Sequence, residues 1–307
     1  MLPAYRRFLT LKELTQRGQL LRERMNECRL CPRECGVHRA QKQYGVCRST
    51  DDLTIASASP HYGEERPLVG LNGSGTIFFT SCNLKCQFCQ NYDISYHRIG
   101  RAINAHQLAE IMLSLQGMGC HNINLVTPSH FTPQIVEALV IGVERGLTIP
   151  LVYNCGGYES VQTLKLLDGI IDLYMPDIKY SNNEAARKYS GAKDYWDVVR
   201  LAVKEMHRQT GDLATDERGI ATRGLIIRHL VLPNGIAGSM AVMEYIAHEL
   251  SLDSYVNIMD QYRPVHRAHR YPELDRPIVE SEYDEVVDYA LKLGLHRGFN
   301  VLELRSN

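Results

Sequence analysis

From residue 76 onward, short apolar runs alternate with stretches whose apolar residues recur every three or four positions. The runs of strand length lie at 76–80, 122–127, 149–153, 170–175, 224–232 and 255–259. Between them Asn104 stands ahead of Leu108, Ile111, Met112 and Leu115, the spacing of one helix face behind an N-cap. Thr132 and Pro133 open a second helix carrying Ile135, Val136, Leu139, Val140 and Val143, and Gly146 supplies its stop. Ser281 is placed to cap a last helix with Val286, Val287, Ala290 and Leu291, ended by Gly294. Strands alternating with helices predict parallel strands joined by right-handed crossovers. About six such units fit a partial TIM barrel of the α/β class better than a complete one, which takes ~250 residues. A doubly wound open sheet is the alternative.

Ahead of residue 76 the pattern changes. Residues 9–27 have a helical rhythm, with Leu11, Leu14, Leu20 and Leu21 among charged positions. A cysteine-rich stretch follows at 28–47, and 53–72 fits short strands and turns. Two units are therefore expected. Residues 1–72 would hold the helix and a small Cys-rich, metal-binding N-terminal lobe, and 73–307 the barrel with its C-terminal helix.

The 307 residues are 44% hydrophobic and 22% charged, with a net charge of −1. That balance offers no case for nucleic acid or an anionic membrane as partner. No apolar run approaches the ~20 residues of a spanning helix, and the start Met1-Leu2-Pro3-Ala4-Tyr5-Arg6-Arg7 lacks a signal-peptide core. The expectation is a cytoplasmic protein, in which nine cysteines are ligands, catalytic thiols or core residues instead of disulfides.

Directly after the first apolar run come Cys82-Asn83-Leu84-Lys85-Cys86-Gln87-Phe88-Cys89. Three thiolates in eight residues can ligate three irons of a 4Fe–4S cluster, which takes four when held wholly by protein. Either a distant thiolate closes the shell or one iron stays open, as catalytic metal sites do. Three buried thiols or a zinc knuckle are the plainer alternatives. A second group, Cys28, Cys31, Cys35 and Cys47, makes a complete set of four. Four thiolates suit structural zinc and an auxiliary iron–sulfur cluster alike.

In a barrel, the residues just past each strand face the active site. Here these are Thr127-Pro128-Ser129-His130, Tyr153-Asn154-Cys155-Gly156-Gly157-Tyr158, Met175-Pro176-Asp177-Ile178-Lys179, and, after the last two runs, Arg228-His229 and Gln261-Tyr262-Arg263-Pro264. Thr127 and Ser129 can hydrogen-bond an ammonium group and His130 can relay a proton. The same residues also suit a turn and helix cap. Asp177 and Lys179 alternate about Ile178 and so share a face; they pair privately or hold a ligand. Cys155 and Cys120 read as packing thiols. The basic stretch 265–270 reads as a solvated loop over the barrel mouth.

On these motifs the chain resembles the radical S-adenosylmethionine proteins of the pyruvate formate-lyase activating enzyme type, over nearly its whole length. The resemblance implies that Cys82, Cys86 and Cys89 ligate a 4Fe–4S cluster whose open iron takes S-adenosyl-L-methionine. It implies that Phe88 lies against the adenine and that Asp177 and Lys179 lie near that cofactor. Asn154, Cys155, Met175 and Asp177 fall where activating enzymes gather a monovalent cation, with Asn154-Cys155 in place of Asp-Thr. Thr127-Pro128-Ser129-His130 replaces the usual Gly-Gly-Glu, so Thr127, Ser129 and His130 would meet the ammonium group. The implied activity is reductive cleavage of S-adenosylmethionine and hydrogen abstraction from a substrate, a glycine of a partner enzyme being one. The electron donor would be a flavodoxin or ferredoxin. Against this stand an iron–sulfur electron carrier and a zinc-stabilised binding module.

Overall fold

The computed structural model describes residues 2–299; the outer ends of the two expected units, residue 1 and 300–307, lie outside them. Among the described residues nine strands form one sheet: β1 Leu53–His61, β2 Ser74–Phe79, β3 Arg101–Ile103, β4 Ile123–Val126, β5 Leu151–Cys155, β6 Leu173–Pro176, β7 Ala214–Thr215, β8 Ala221–Leu230 and β9 Tyr255–Met259. Six of them, β2, β4, β5, β6, β8 and β9, run parallel in that order. They are the six runs of the sequence, and the sheet they build is a partial barrel. Every residue of β4, β5 and β6 is buried, as in parallel strands covered on both faces. Among the described residues the sheet stays open, since β3 and β9 at its two ends do not pair with each other.

The helix Ala105–Gly117 has the expected cap, with Asn104 and Gln107 satisfying each other's backbone N–H. The last helix spans Glu280–Lys292 and starts ahead of Ser281, because the Glu282 carboxylate reaches back to the N–H of Val279.

The boundary expected at residue 72 falls inside the sheet. β1 pairs antiparallel with the free edge of β2 from Ile55↔Phe79 to His61↔Ser74, and β3 pairs with β1. Only Leu53 and Ile55 of β1 are buried, so its polar remainder hides a nine-residue strand from the hydrophobic pattern. The N-terminal helix, Leu11–Glu23, packs through buried Leu14 and Leu21 on the barrel helix Thr132–Glu144. The segment 28–47 between helix and β1 has one short turn of helix, Arg39–Gln41. No described helix is long and apolar enough to cross a membrane.

Candidate functional site

β2 delivers the cysteine loop. The Thr80 N–H still bonds Thr54 O across to β1 at 3.1 Å; then Ser81, at φ +72°, turns the chain over the strand end and donates its N–H to Ile94 O. Each sulfur that follows meets a polar group. The Leu84 N–H points to Cys82 Sγ at 3.4 Å, Ser190 Oγ lies 3.0 Å from Cys86 Sγ, and Ser95 Oγ lies 3.2 Å from Cys89 Sγ. Burial, reinforced by the neighbouring cysteines, pushes the Cys82 thiol up to about 12 and raises that of Cys86. Thiols so placed ionise when a metal takes the proton's place.

Beside the loop is a cavity of about 220 Å³ whose walls include Cys86, Phe88, Cys89, Asp177, Lys179 and Arg228. Phe88 is held there edge-on to Tyr262 and Tyr180, with ring centroids 5.7 and 6.4 Å away. Asp177 and Lys179 do share a face, with Lys179 Nζ 2.6 Å from Asp177 Oδ2. Their pair is not private. Arg228 Nε lies 2.8 Å from Asp177 Oδ1, and its terminal nitrogen donates to Asn154 Oδ1 at 2.8 Å. Burial alone would raise the Asp177 carboxyl; Arg228 and Lys179 outweigh it and hold the group below the usual carboxylate range.

On the other side of Arg228 stand Glu64 and Glu65, at 3.7 and 4.0 Å. Sequence reasoning missed both, because they lie in a turn after β1. Arg228 was quoted without a role; its charge in the middle of an apolar strand was the available signal. The two glycines after β5 make room for these groups. A Cβ on Gly156 would stand 2.7 Å from the Leu84 side chain, and Gly157, at φ +74°, lies against the Asp177 carbonyl.

The residues after β4 depart from expectation. Thr127 sits at φ +59° and donates its N–H to Asn154 O at 2.8 Å. Ser129 is buried and its hydroxyl is given to Glu159, whose other oxygen accepts from Tyr153 OH at 3.0 Å. Burial, opposed by those hydrogen bonds, lifts the Glu159 carboxyl to about 7. Glu159 was not singled out from the sequence, although it directly follows the Gly156-Gly157-Tyr158 connector. His130 turns away from the cavity beside Asp177. Its Nε2 lies 2.7 Å from Thr80 O, and the residue lines the space enclosed by the other four cysteines. The chain packs Ser129 and His130 inward because Pro128 through Phe131 form a buried turn of helix under the strand ends. Cys155 is buried in β5 and Cys120 is buried behind Gly75.

Cys28, Cys31, Cys35 and Cys47 line one enclosed cavity with Arg39 and His130. The Val46 N–H points at Cys35 Sγ at 3.4 Å, and burial raises the Cys28 and Cys31 thiols, with the backbone at Leu30 and Arg33 opposing it. Gly45 leaves room that a Cβ would fill, 2.8 Å from Cys35 Sγ. Four sulfurs around one cavity fit a metal centre. Among the described residues no three His, Cys, Asp or Glu groups converge as on a single ion. This holds for the 82–89 loop as well, and a polynuclear cluster spreads its ligands further apart than one ion does.

The two cysteine sites are neighbours. Arg33, from between Cys31 and Cys35, donates to Asn83 O at 2.8 Å and to Gly191 O. The Lys85 ammonium lies within electrostatic reach of both Cys82 and Cys47. The basic stretch after β9 covers the loop more closely than a solvated segment would. His266 stacks on Tyr92 with centroids 5.1 Å apart, and the Arg267 N–H donates to Gln87 O at 2.8 Å.

Residues 76–215 match the family model of the radical SAM superfamily. The chain is 33% identical over 276 residues to the uncharacterized protein MJ0674 of Methanocaldococcus jannaschii, covering 87% of this chain and 75% of that protein. It is 21% identical over 291 residues to the uncharacterized protein MJ0808 of the same organism, covering 88% and 78%. Among solved structures it is similar to Streptococcus suis SuiB bound to the precursor peptide SuiA, with TM-score 0.49 and 14% identity over 72% of this chain and 46% of SuiB. It is also similar to HydG, a maturase of the FeFe-hydrogenase, with TM-score 0.46 and 12% identity over 70% of this chain and 47% of HydG. The chain thus spans under half the length of each of those two structures.

Proposed function

For this chain, which belongs to the radical SAM superfamily, we propose a radical enzyme of the activating-enzyme type with two metal centres. The observation that carries the reading is the meeting of Cys86 and Cys89 with Asp177, Lys179 and Arg228 around one cavity at the strand ends. Cys82, Cys86 and Cys89 would hold a 4Fe–4S cluster, and that cluster would supply the one-electron reduction that cleaves S-adenosyl-L-methionine for hydrogen abstraction from the substrate. Phe88 offers a flat apolar face for an adenine. Lys179 and Arg228 supply cationic donors, and Asp177 fixes their direction. Buried Ile77, Phe79, Val126 and Val152 exclude water from the sheet behind the loop. Electrons come from a flavodoxin- or ferredoxin-type donor. The activating-enzyme kinship points to a glycine in a partner enzyme as the substrate.

The second centre, at Cys28, Cys31, Cys35 and Cys47, is an iron–sulfur cluster in this reading. Support comes from the four cysteines lining one cavity and from the Val46 N–H aimed at Cys35 Sγ. Anaerobic reconstitution separates the readings. About eight irons per chain means two clusters, and about four with one zinc means a single cluster beside a zinc site. Incubation with dithionite and S-adenosyl-L-methionine under argon is expected to release 5′-deoxyadenosine. A cluster-loaded protein that releases none refutes the radical reading.

A further inference from the structure

His130 Nε2 lies 2.7 Å from the carbonyl oxygen of Thr80. A carbonyl only accepts, so Nε2 carries the hydrogen and Nδ1 keeps its lone pair. That Nδ1 is buried and has no partner on the protein, a state that native interiors rarely leave unexplained. His130 is among the residues lining the cavity enclosed by Cys28, Cys31, Cys35 and Cys47. It is held firmly there. Arg39 grips the His130 carbonyl at 2.5 Å while its second terminal nitrogen grips Thr50 O at 2.5 Å. An imidazole with one N–H on a backbone carbonyl and a bare, buried lone pair on the other side is the usual form of a metal-ligating histidine.

We propose that His130 is a donor to the N-terminal centre through Nδ1, so that this centre takes a mixed thiolate and imidazole shell. The inference rests on the reading that these cysteines bind metal. Five donors then serve four positions, and one thiol is spare. Cys35, the one of the four that is not fully buried, is the thiol the imidazole would displace from the four-thiolate set. Replacing a thiolate by a neutral imidazole removes one negative charge from the centre, a change that raises the potential of iron–sulfur clusters. The Nε2–H bond ends on Thr80, two residues before Cys82. The same ring therefore connects the N-terminal centre to the base of the 82–89 loop.

The test uses the full chain carrying Cys82→Ala, Cys86→Ala and Cys89→Ala, reconstituted anaerobically with iron and sulfide so that only the N-terminal centre can load. Pulsed electron paramagnetic resonance on the reduced centre is expected to show a directly bonded nitrogen. Growth on 15N-histidine should change that coupling to the 15N pattern without any further substitution, which keeps the result independent of how variants fold. His130→Leu should abolish the coupling, and Cys35→Ser should keep both the coupling and the iron content. An iron-loaded centre with no histidine nitrogen coupling overturns the role of His130 while leaving the metal reading intact. A triple variant that retains neither iron nor added zinc overturns both.

Discussion

The loop 82–89 and the segment 28–47 both gather cysteines, but they rest on different supports. The first hangs from the end of a buried strand and is fastened to it from several directions, by Ile94, Ser190 and Tyr189 through the backbone and by Asn83 Nδ2 on Tyr158 O at 2.7 Å. The second has a single short turn of helix, with positive φ at Glu34, Gly36 and Lys42 and few apolar residues of its own. A strand end positions side chains whether or not a ligand is present. A segment with little regular structure would depend on a bound metal for order, since metal-binding free energy is then folding free energy. The difference predicts which perturbations reach the chemistry and which reach the fold.

The largest effect is expected at the loop. Cys86→Ala should bring the release of 5′-deoxyadenosine to background while the far-ultraviolet circular dichroism and the unfolding midpoint of the metal-free protein stay close to those of the unchanged chain. A matching collapse of the fold would show that the loop, like the other segment, needs its metal to hold shape.

Next in size is Arg228. It is the shared partner of Asp177, Asn154, Glu64 and Glu65, and its side chain is largely buried. Removing one member of a buried charge network leaves the others uncompensated, at about 3–5 kcal/mol. Arg228→Met should lower the urea-unfolding free energy by about that much, even without metal. A loss below about 1 kcal/mol would mean that solvent reaches these carboxylates.

A smaller, local effect is expected in the other segment. Cys28→Ser with Cys31→Ser should open 28–47 to proteolysis and raise its amide exchange, with iron falling by about half if both sites carry clusters. The barrel helices should keep their protection. Cleavage spreading into β1 would show that this strand depends on the metal as well.

The same contrast explains what the sequence disclosed. β2, β4, β5 and β6 are buried along nearly their whole length, so they appear as unbroken apolar runs, and the cysteines reveal themselves by spacing. β1 shows only Leu53 and Ile55 to the core, and β3 has three residues, so neither has a period to detect. Asp177 and Lys179 stand out because they follow a strand run, whereas Phe88 enters only through the resemblance to activating enzymes. Glu64, Glu65 and Glu159 were not, since a lone charge in a turn is ordinary until a buried partner is seen beside it. His130 was legible as chemistry, but which cysteine site it serves depends on a buried turn that nothing in the local pattern distinguishes from an exposed one.

The smallest effect concerns the base of the barrel, far from both cysteine sites, and reads the barrel without reference to metal. Asp172 is buried, and its two oxygens accept the N–H of Ala4 at 2.6 Å and of Leu151 at 2.9 Å, tying the start of the chain to β5. Burial lifts its carboxyl from 3.8 to about 7 despite those bonds and the nearby arginines. A carboxyl raised on folding stays protonated in the native state where the unfolded chain has already ionised. Between about pH 4 and pH 7 the native state therefore binds one proton more, and stability falls as pH rises, by about 1.4 kcal/mol per unit at most. Below pH 4 both states are protonated, and above 7 both are ionised, so the slope vanishes at each end. Asp172→Asn costs a hydrogen bond at every pH, because its amide nitrogen cannot accept, yet it should flatten the slope across this window. The measurement is the difference in slope between the two proteins in urea unfolding of the metal-free chain. A slope that survives the substitution unchanged would move the proton uptake to another buried acid.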